Sequence, residues 1–310
     1  MGRTSRRPYG DYILLAASLI WGTAFYFQSV AMDVMGPYTF VTVRGILATT
    51  ALGLILVIRS RFMPSKTLFK LGTKRGYTLA VFGGLILAFA MITQQVGIVG
   101  TTTGKAGFIT TLYIIFVPLI GVFFKQRYPL KTWLALGLGL VGFFYLSTEG
   151  TLTSINAYDA LILLTAFAYG AQIYLIDQLK TSIDSMMFSF VQFGVATLVS
   201  IVPTLWLEGI DISFLVSVDA VIALLYVGIV SSVIAYTLQV VGQKRSSSAP
   251  VASLMMSLEA IFATLAGVLW LNEIISSIQA FGMVLIFLAI LLSQISLRFL
   301  KELLLKRKQS

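Results

Sequence analysis

Ten apolar runs follow one another with only short connections, each close to the length that crosses a bilayer. They lie at Ile13 to Ala31, Tyr38 to Ile58, Tyr77 to Val99, Lys105 to Phe124, Lys131 to Ser147, Tyr158 to Ile176, Met186 to Trp206, Ala220 to Gly242, Ala249 to Leu271 and Ile278 to Leu297. About 20 apolar residues make one helical crossing. The chain is therefore expected to be an all-α membrane protein of ten transmembrane helices. Composition agrees: 58% of residues are hydrophobic and only 11% charged, and the mean hydropathy of +0.93 is far from that of soluble domains. The chain has no Cys and no His. That removes disulfides, thiol nucleophiles, imidazole bases and the usual transition-metal ligands, so neither enzymatic chemistry, a metal nor a cofactor is expected. The basic start, MGRTSRRPYGDY, leads into a full-length span with no small-residue cleavage site, which reads as an uncleaved first helix.

The charges sort themselves across these spans. With both termini placed in the cytoplasm, the loops and tails on that side hold Arg3, Arg6, Arg7, Arg59, Arg61, Lys66, Lys70, Lys74, Arg75, Lys125, Arg127, Lys131, Lys180, Lys244, Arg245 and the tail from Arg298 to Lys308. The outer loops carry Asp33, Glu149, Glu208, Asp211, Asp219 and Glu273 and no Lys or Arg. This is the positive-inside pattern. It also accounts for the excess of 22 Lys and Arg over 12 Asp and Glu by anionic lipid and topology, with no basic, aromatic-interleaved surface to suggest nucleic acid.

Two sets of five spans resemble each other. WGTAFY at Trp21 to Tyr26 matches YGAQIY at Tyr169 to Tyr174, an offset of 148; QQVG at Gln94 to Gly97 matches QVVG at Gln239 to Gly242, and Thr101 to Thr103 matches Ser246 to Ser248, an offset of 145. A repeat of five helices enters the membrane from opposite sides in its two copies, the inverted arrangement of many secondary transporters. The expected units are 12–148 and 157–297, flanked by basic tails at 1–11 and 298–310.

Three stretches carry a family resemblance: LLAASLIWGTAFYF, TTTGKAGFITTLYIIFVPLIG at Thr101 to Gly121, and QKRSSSAPVASLMMSLEAIFATLAGVLWLNE at Gln243 to Glu273. Through them the chain resembles EamA-type members of the drug/metabolite transporter superfamily over nearly all of its length. The resemblance implies a ten-helix carrier of small metabolites in the bacterial inner membrane, often an exporter, with a central cavity lined by the first, third, fourth, sixth, eighth and ninth helices. One departure stands out. The pattern SLEP reads Ser257, Leu258, Glu259, Ala260 here, while Pro118 keeps the proline of the first half; without proline the ninth helix is expected to be less kinked.

Three ionisable residues within spans are candidates for the mechanism: Glu259, Lys105 and Arg44. Glu259, the eleventh residue of its span, lies near the midplane, where a charge usually faces a partner or a watered cavity. It is a proton carrier, a ligand for a substrate ammonium, or a hydrogen-bonded tie between helices. Lys105 opens the fourth span beside helix N-terminal amides and suits a substrate carboxylate or phosphate better than a lysine merely snorkelling to the interface. Arg44 reads as a structural ion pair, with part of an outer gate as the alternative. Gln94 or Gln95 and Gln239 occupy inverted positions at the two mouths. Trp21, Tyr26, Tyr113, Gln172 and Tyr174 add aromatic and hydrogen-bonding surface on spans expected to line the cavity.

The leading expectation is a secondary transporter, of exporter type, for small polar metabolites, with amino acids or related zwitterions preferred. Its partners are the lipid bilayer, a small-molecule substrate and, if Glu259 carries one, a coupling proton. An exporter of amphipathic drugs or lipid precursors is the second, and a non-transporting scaffold or receptor the third; a solvent-filled cavity at Glu259 speaks against the scaffold.

Overall fold

The computed structural model describes residues 9–62, 74–101, 103–148, 156–179, 184–271 and 275–294, with side chains throughout except at 103–105, 146–148, 271 and 293–294. Among the described residues the chain is helical, with no strand. The helices are α1 (Tyr9–Met32), α2 (Pro37–Phe62), α3 (Lys74–Val99), α4 (Thr103–Thr111), α5 (Tyr113–Phe123), α6 (Leu130–Thr148) and α7 (Ala157–Asp177). They continue with α8 (Ser185–Pro203), α9 (Val218–Leu225), α10 (Tyr236–Arg245), α11 (Ala249–Met256), α12 (Glu259–Leu271) and α13 (Ser277–Gln294). Lys105 is a backbone member of α4; its side chain lies outside the described residues, as does Leu297.

Eight segments are long and apolar enough to cross a membrane: Tyr9–Met32, Pro37–Phe62, Lys74–Val99, Ala106–Phe123, Ala157–Asp177, Ser185–Glu208, Val218–Arg245 and Ala249–Trp270. The fifth and tenth runs form shorter apolar helices, Leu130–Tyr145 and Ser277–Leu292. These two pack on each other as α6 and α13. A Cβ on Gly142 would stand 2.8 Å from the Gly282 carbonyl oxygen and the Ile286 nitrogen, the close backbone approach that small residues permit between membrane helices. Side chains such as Leu54, Phe62, Leu198 and Trp206 remain exposed on the outside, as lipid-facing surface requires.

Four of the crossing segments are not uniform α-helices. The fourth breaks at Leu112, between α4 and α5, and the ninth breaks at Ser257 and Leu258, between α11 and α12. At each break a hydroxyl takes a backbone carbonyl three residues back: Thr111 donates to Phe108 at 2.7 Å and Ser257 to Leu254 at 2.8 Å. Such back-bonding competes with the i to i−4 ladder and bends helices. The expectation that replacing proline by Ala260 straightens the ninth helix is thus corrected, because the serine supplies a local cause of the break. The eighth segment holds a π-helical stretch, Tyr226–Ala235, and the seventh ends in a π-turn after Pro203.

Helices of the two halves interleave. α1 packs on α10 and α12, α2 on α8, and α3 on α7 and α8. Internal symmetry shows in the contacts. Gly22 on α1 sits on Phe262 and Ala263 of α12, while Gly170 on α7, 148 positions later, sits on Phe116 and Val117 of α5. Thr49 and Thr197, also 148 apart, meet hydroxyl to hydroxyl at 3.3 Å, which places the pseudo-twofold axis between α2 and α8.

Candidate functional site

The two helix breaks point at one another. Tyr113 is the first residue of α5 and Glu259 the first of α12, so each occupies the same place in its half. The Tyr113 hydroxyl adjoins the Glu259 carboxyl, without the geometry of a direct hydrogen bond: Tyr113 Oη and Glu259 Oε1 both lack a partner. Around them is a cavity of about 40 Å³, room for a few waters.

The first half contributes Trp21, Phe25 and Gln28 from α1, Arg44 from α2, Gln94 from α3, Thr110 from α4 and Tyr113. The second half contributes Tyr169, Gln172 and Ile173 from α7, Ser231 of the π-stretch, Tyr236 and Gln239 from α10, Met256 from α11 and Glu259. Repeat mates therefore face the same space, Trp21 with Tyr169 and Gln94 with Gln239, and Tyr113 and Glu259 join them, each opening the half-helix after a break.

A hydrogen-bonded line crosses the cavity wall. Tyr236 donates to the Tyr169 hydroxyl at 3.3 Å, Tyr169 donates to Gln94 Oε1 at 3.1 Å, and Gln94 Nε2 donates to Thr110 at 3.3 Å. Tyr236 is held edge-on between the Trp21 and Phe193 rings, at 5.0 and 5.1 Å. Arg44, 3% exposed, and Glu259, 4% exposed, are the two charged residues of the wall. They form no ion pair; among the described residues the bridge within 4.0 Å joins Arg59 to Asp184 at 3.0 Å. Arg44 Nε instead donates to Ser232 Oγ at 2.7 Å.

Several buried polar atoms of the wall have no protein partner: Trp21 Nε1, both amide atoms of Gln172, Gln239 Oε1, Tyr113 Oη and Glu259 Oε1. Leaving one such group dry costs about 1–3 kcal/mol. Their convergence, with a buried guanidinium and a buried carboxyl that do not pair, suits a site that takes water or a polar ligand.

The model of the EamA-like transporter family matches residues 8–148 and again 156–295. The chain belongs to this family. A protein of Archaeoglobus fulgidus named only as an uncharacterized transporter is 30% identical to it over 296 residues, covering 94% of this chain and 87% of its own. In fold the chain is similar to a solved crystal structure with a TM-score of 0.72 at 15% identity, over 92% of this chain and 96% of the other. An EamA-family chain with these apolar helices is a multi-pass membrane transporter, which points to a non-enzymatic role with a small-molecule substrate.

The residues singled out from sequence are distributed unevenly. Glu259, Trp21, Gln94, Tyr113, Gln172 and Gln239 line the cavity. Arg44 does too, rather than pairing at the periphery with an acidic residue. Gln95 is buried beside it, its Nε2 donating to the Gln28 carbonyl at 3.4 Å. Tyr26 packs away from the cavity against Trp270, and Tyr174 stacks on Phe124 with ring centroids 5.3 Å apart. Tyr169, Tyr236, Thr110 and Ser231 were not anticipated. Of these only Tyr169 had a signal in the sequence, as the repeat mate of Trp21.

Proposed function

We propose that this EamA-family protein is a secondary transporter of small zwitterionic metabolites of the amino-acid type. Arg44 takes the cargo's carboxylate, and Glu259 takes its ammonium or a coupling proton. The observation that carries this reading is the lining of one cavity by a buried guanidinium and a buried carboxyl that do not pair, among polar atoms lacking partners. Arg44 fills the role first given to Lys105. A 40 Å³ space admits water only, so cargo enters when the wall parts on one face and leaves when it parts on the other, as inverted repeats allow. In this reading the shorter α6 and α13 also cross, giving ten spans, and both termini lie in the cytoplasm on the side rich in Lys and Arg.

The narrow cavity gives no support to a wide chamber for drugs or lipid precursors, and room for water beside Glu259 speaks against a scaffold. Reconstitution into liposomes with radiolabelled amino acids in counterflow tests the proposal. Glu259→Gln and Arg44→Ala each lower flux roughly ten-fold or more, the consequence of losing a hydrogen-bonded charged pole, and Glu259→Gln flattens the dependence of flux on pH. If both variants keep wild-type flux and pH dependence, the assignment is wrong.

A further inference from the structure

Beyond the cavity, each end is closed by a copy of the same lid. On α3, Gln94 lines the cavity, Gly97 follows three residues on, and Thr101 four residues after that; from α10 onward the series is Gln239, Gly242 and Ser246 at identical spacing. Gly97 rests on α7, where a Cβ would strike the Ile162 side chain and stand 3.1 Å from the Tyr158 carbonyl oxygen. Gly242 rests on α1, where a Cβ would stand 2.8 Å from Leu14 Cδ2 and 3.0 Å from the Gly10 carbonyl oxygen. Leu14 and Ile162 are fully buried, so each contact seals against water.

Past each glycine comes an acidic latch. Thr101 Oγ1 donates to Asp159 Oδ1 at 2.8 Å, and Ser246 Oγ donates to Asp11 Oδ1 at 2.9 Å. Asp159 is set in place by its own helix start, where Oδ2 accepts the Asn156 backbone N–H at 2.8 Å, and Asn156 Nδ2 reaches across to the Gly100 carbonyl at 3.0 Å. Tyr158, Asp159 and Ile162 stand 148 positions after Gly10, Asp11 and Leu14. Two surfaces at opposite mouths are thus built from equivalent residues, each a helix start of one half set against a helix end.

A glycine contact holds two helices close without interdigitating large side chains, and a carboxylate–hydroxyl bond is made or broken as a unit. Such a lid can separate cleanly and re-form. Each runs from the cavity wall to just past a helix end, at Val99 or Arg245, about 10 Å of path at 1.5 Å per helical residue, thick enough that one lid alone blocks the path. We propose that Asp11 and Asp159 are a matched pair of gate residues, each latching one mouth of the cavity against Ser246 or Thr101, and that the carrier opens by releasing one latch at a time. This rests on the alternating-access reading above.

The chain has no Cys, so one cysteine introduced in the cavity wall, Ile173→Cys, reports access by its rate of reaction with a membrane-impermeant maleimide added to either face of oriented vesicles. Asp159→Ala raises labelling from the face where α7 begins by roughly ten-fold, the population change expected from losing a hydrogen bond to a charged group, and leaves the other face unchanged. Asp11→Ala does the reverse. Gly97→Ala and Gly242→Ala keep both aspartates and give the same two one-sided responses, which carries the test if an aspartate variant does not fold. Labelling that responds to none of these variants, or two mouths that open on the same face, overturns the proposal. Flux is read separately: loss of transport with one-sided labelling intact counts against the substrate reading and leaves the latches standing.

Discussion

Arg44 is held by a donor chain that the π-stretch creates. Its Nε donates to Ser232 Oγ, and Ser232 donates in turn to the Val227 carbonyl, five residues back, at 2.7 Å. The hydroxyl reaches this carbonyl within the π-helical stretch Tyr226–Ala235, and such stretches are often found at functional sites. Ser232→Ala leaves the guanidinium in the cavity without its anchor. For a carboxylate cargo we expect KM to rise several-fold to ten-fold at unchanged maximal rate and a melting temperature within a few degrees of wild type, since one hydrogen bond to a charged group is lost; Ser232→Thr restores KM. A fall in maximal rate without a change in KM would remove Ser232 from the binding site. At this scale the sequence was informative about depth and poor about direction. Glu259 was visible because a carboxyl inside an apolar run is a local anomaly. Arg44 was equally visible, yet its azimuth was not, since lipid-facing and protein-facing sides of a membrane helix are both apolar. Trp21 and Tyr26 are five residues apart, about 140° around a helix at 3.6 residues per turn, so a matched block of sequence cannot place both in one cavity. Gln94 and Gln95, about 100° apart, separate in the same way.

The broken fourth and ninth segments set the site by presenting Tyr113 and Glu259 at the starts of half-helices. Apolar runs gave the segments themselves, because their length and hydropathy are averages over many residues. A break depends on one or two dihedral pairs and one hydroxyl, which no average reports. Its cause here, back-bonding by Thr111 and Ser257, was in plain view but competes with the many serines and threonines that do nothing of the kind. The Ala260 amide bonds only to the Ser257 carbonyl, at 3.2 Å, and the residue is second in α12. A proline is tolerated in the first turn of a helix, where its missing N–H is not needed by the ladder. We therefore expect Ala260→Pro to melt within a few degrees of wild type and to keep transport, whereas Ala266→Pro, in the interior of α12, loses about 3 kcal/mol or more and does not yield folded protein. Thermal melts of the two variants in detergent decide this; equal, severe destabilisation would show that α12 does not begin at Glu259.

Across the whole molecule the two halves are copies in sequence yet do not form two separate bodies. The hydrophobic surface of each half is covered by the other: α1 lies on α10 and α12, α3 on α7, α6 on α13. α2 and α8 are pinned at both ends. Arg59 pairs with Asp184, the N-cap of α8, at one end. At the other, Glu208 caps α2 by accepting the Tyr38 and Thr39 N–H groups at 3.0 and 2.6 Å. Between them Thr42 reaches Ser200 and Thr204 at 2.9 and 2.8 Å. The repeat was legible from short matches at two nearly equal offsets, but its interleaving was not, because pairing between copies is a property of three-dimensional contacts that neither copy encodes alone. A chain built this way should not fold by halves. Divided within 149–155, between α6 and α7, each half made alone exposes helix faces with buried polar groups such as Arg44 or Gln172 and is degraded or aggregates. Made together, the halves re-form the α2–α8 and α3–α7 contacts, copurify through a tag on one of them, and recover flux in liposomes. Stable, monodisperse protein from one half alone would show that the repeats are autonomous domains, and motion would then have to be described as one half moving against the other, rather than as lids opening between them.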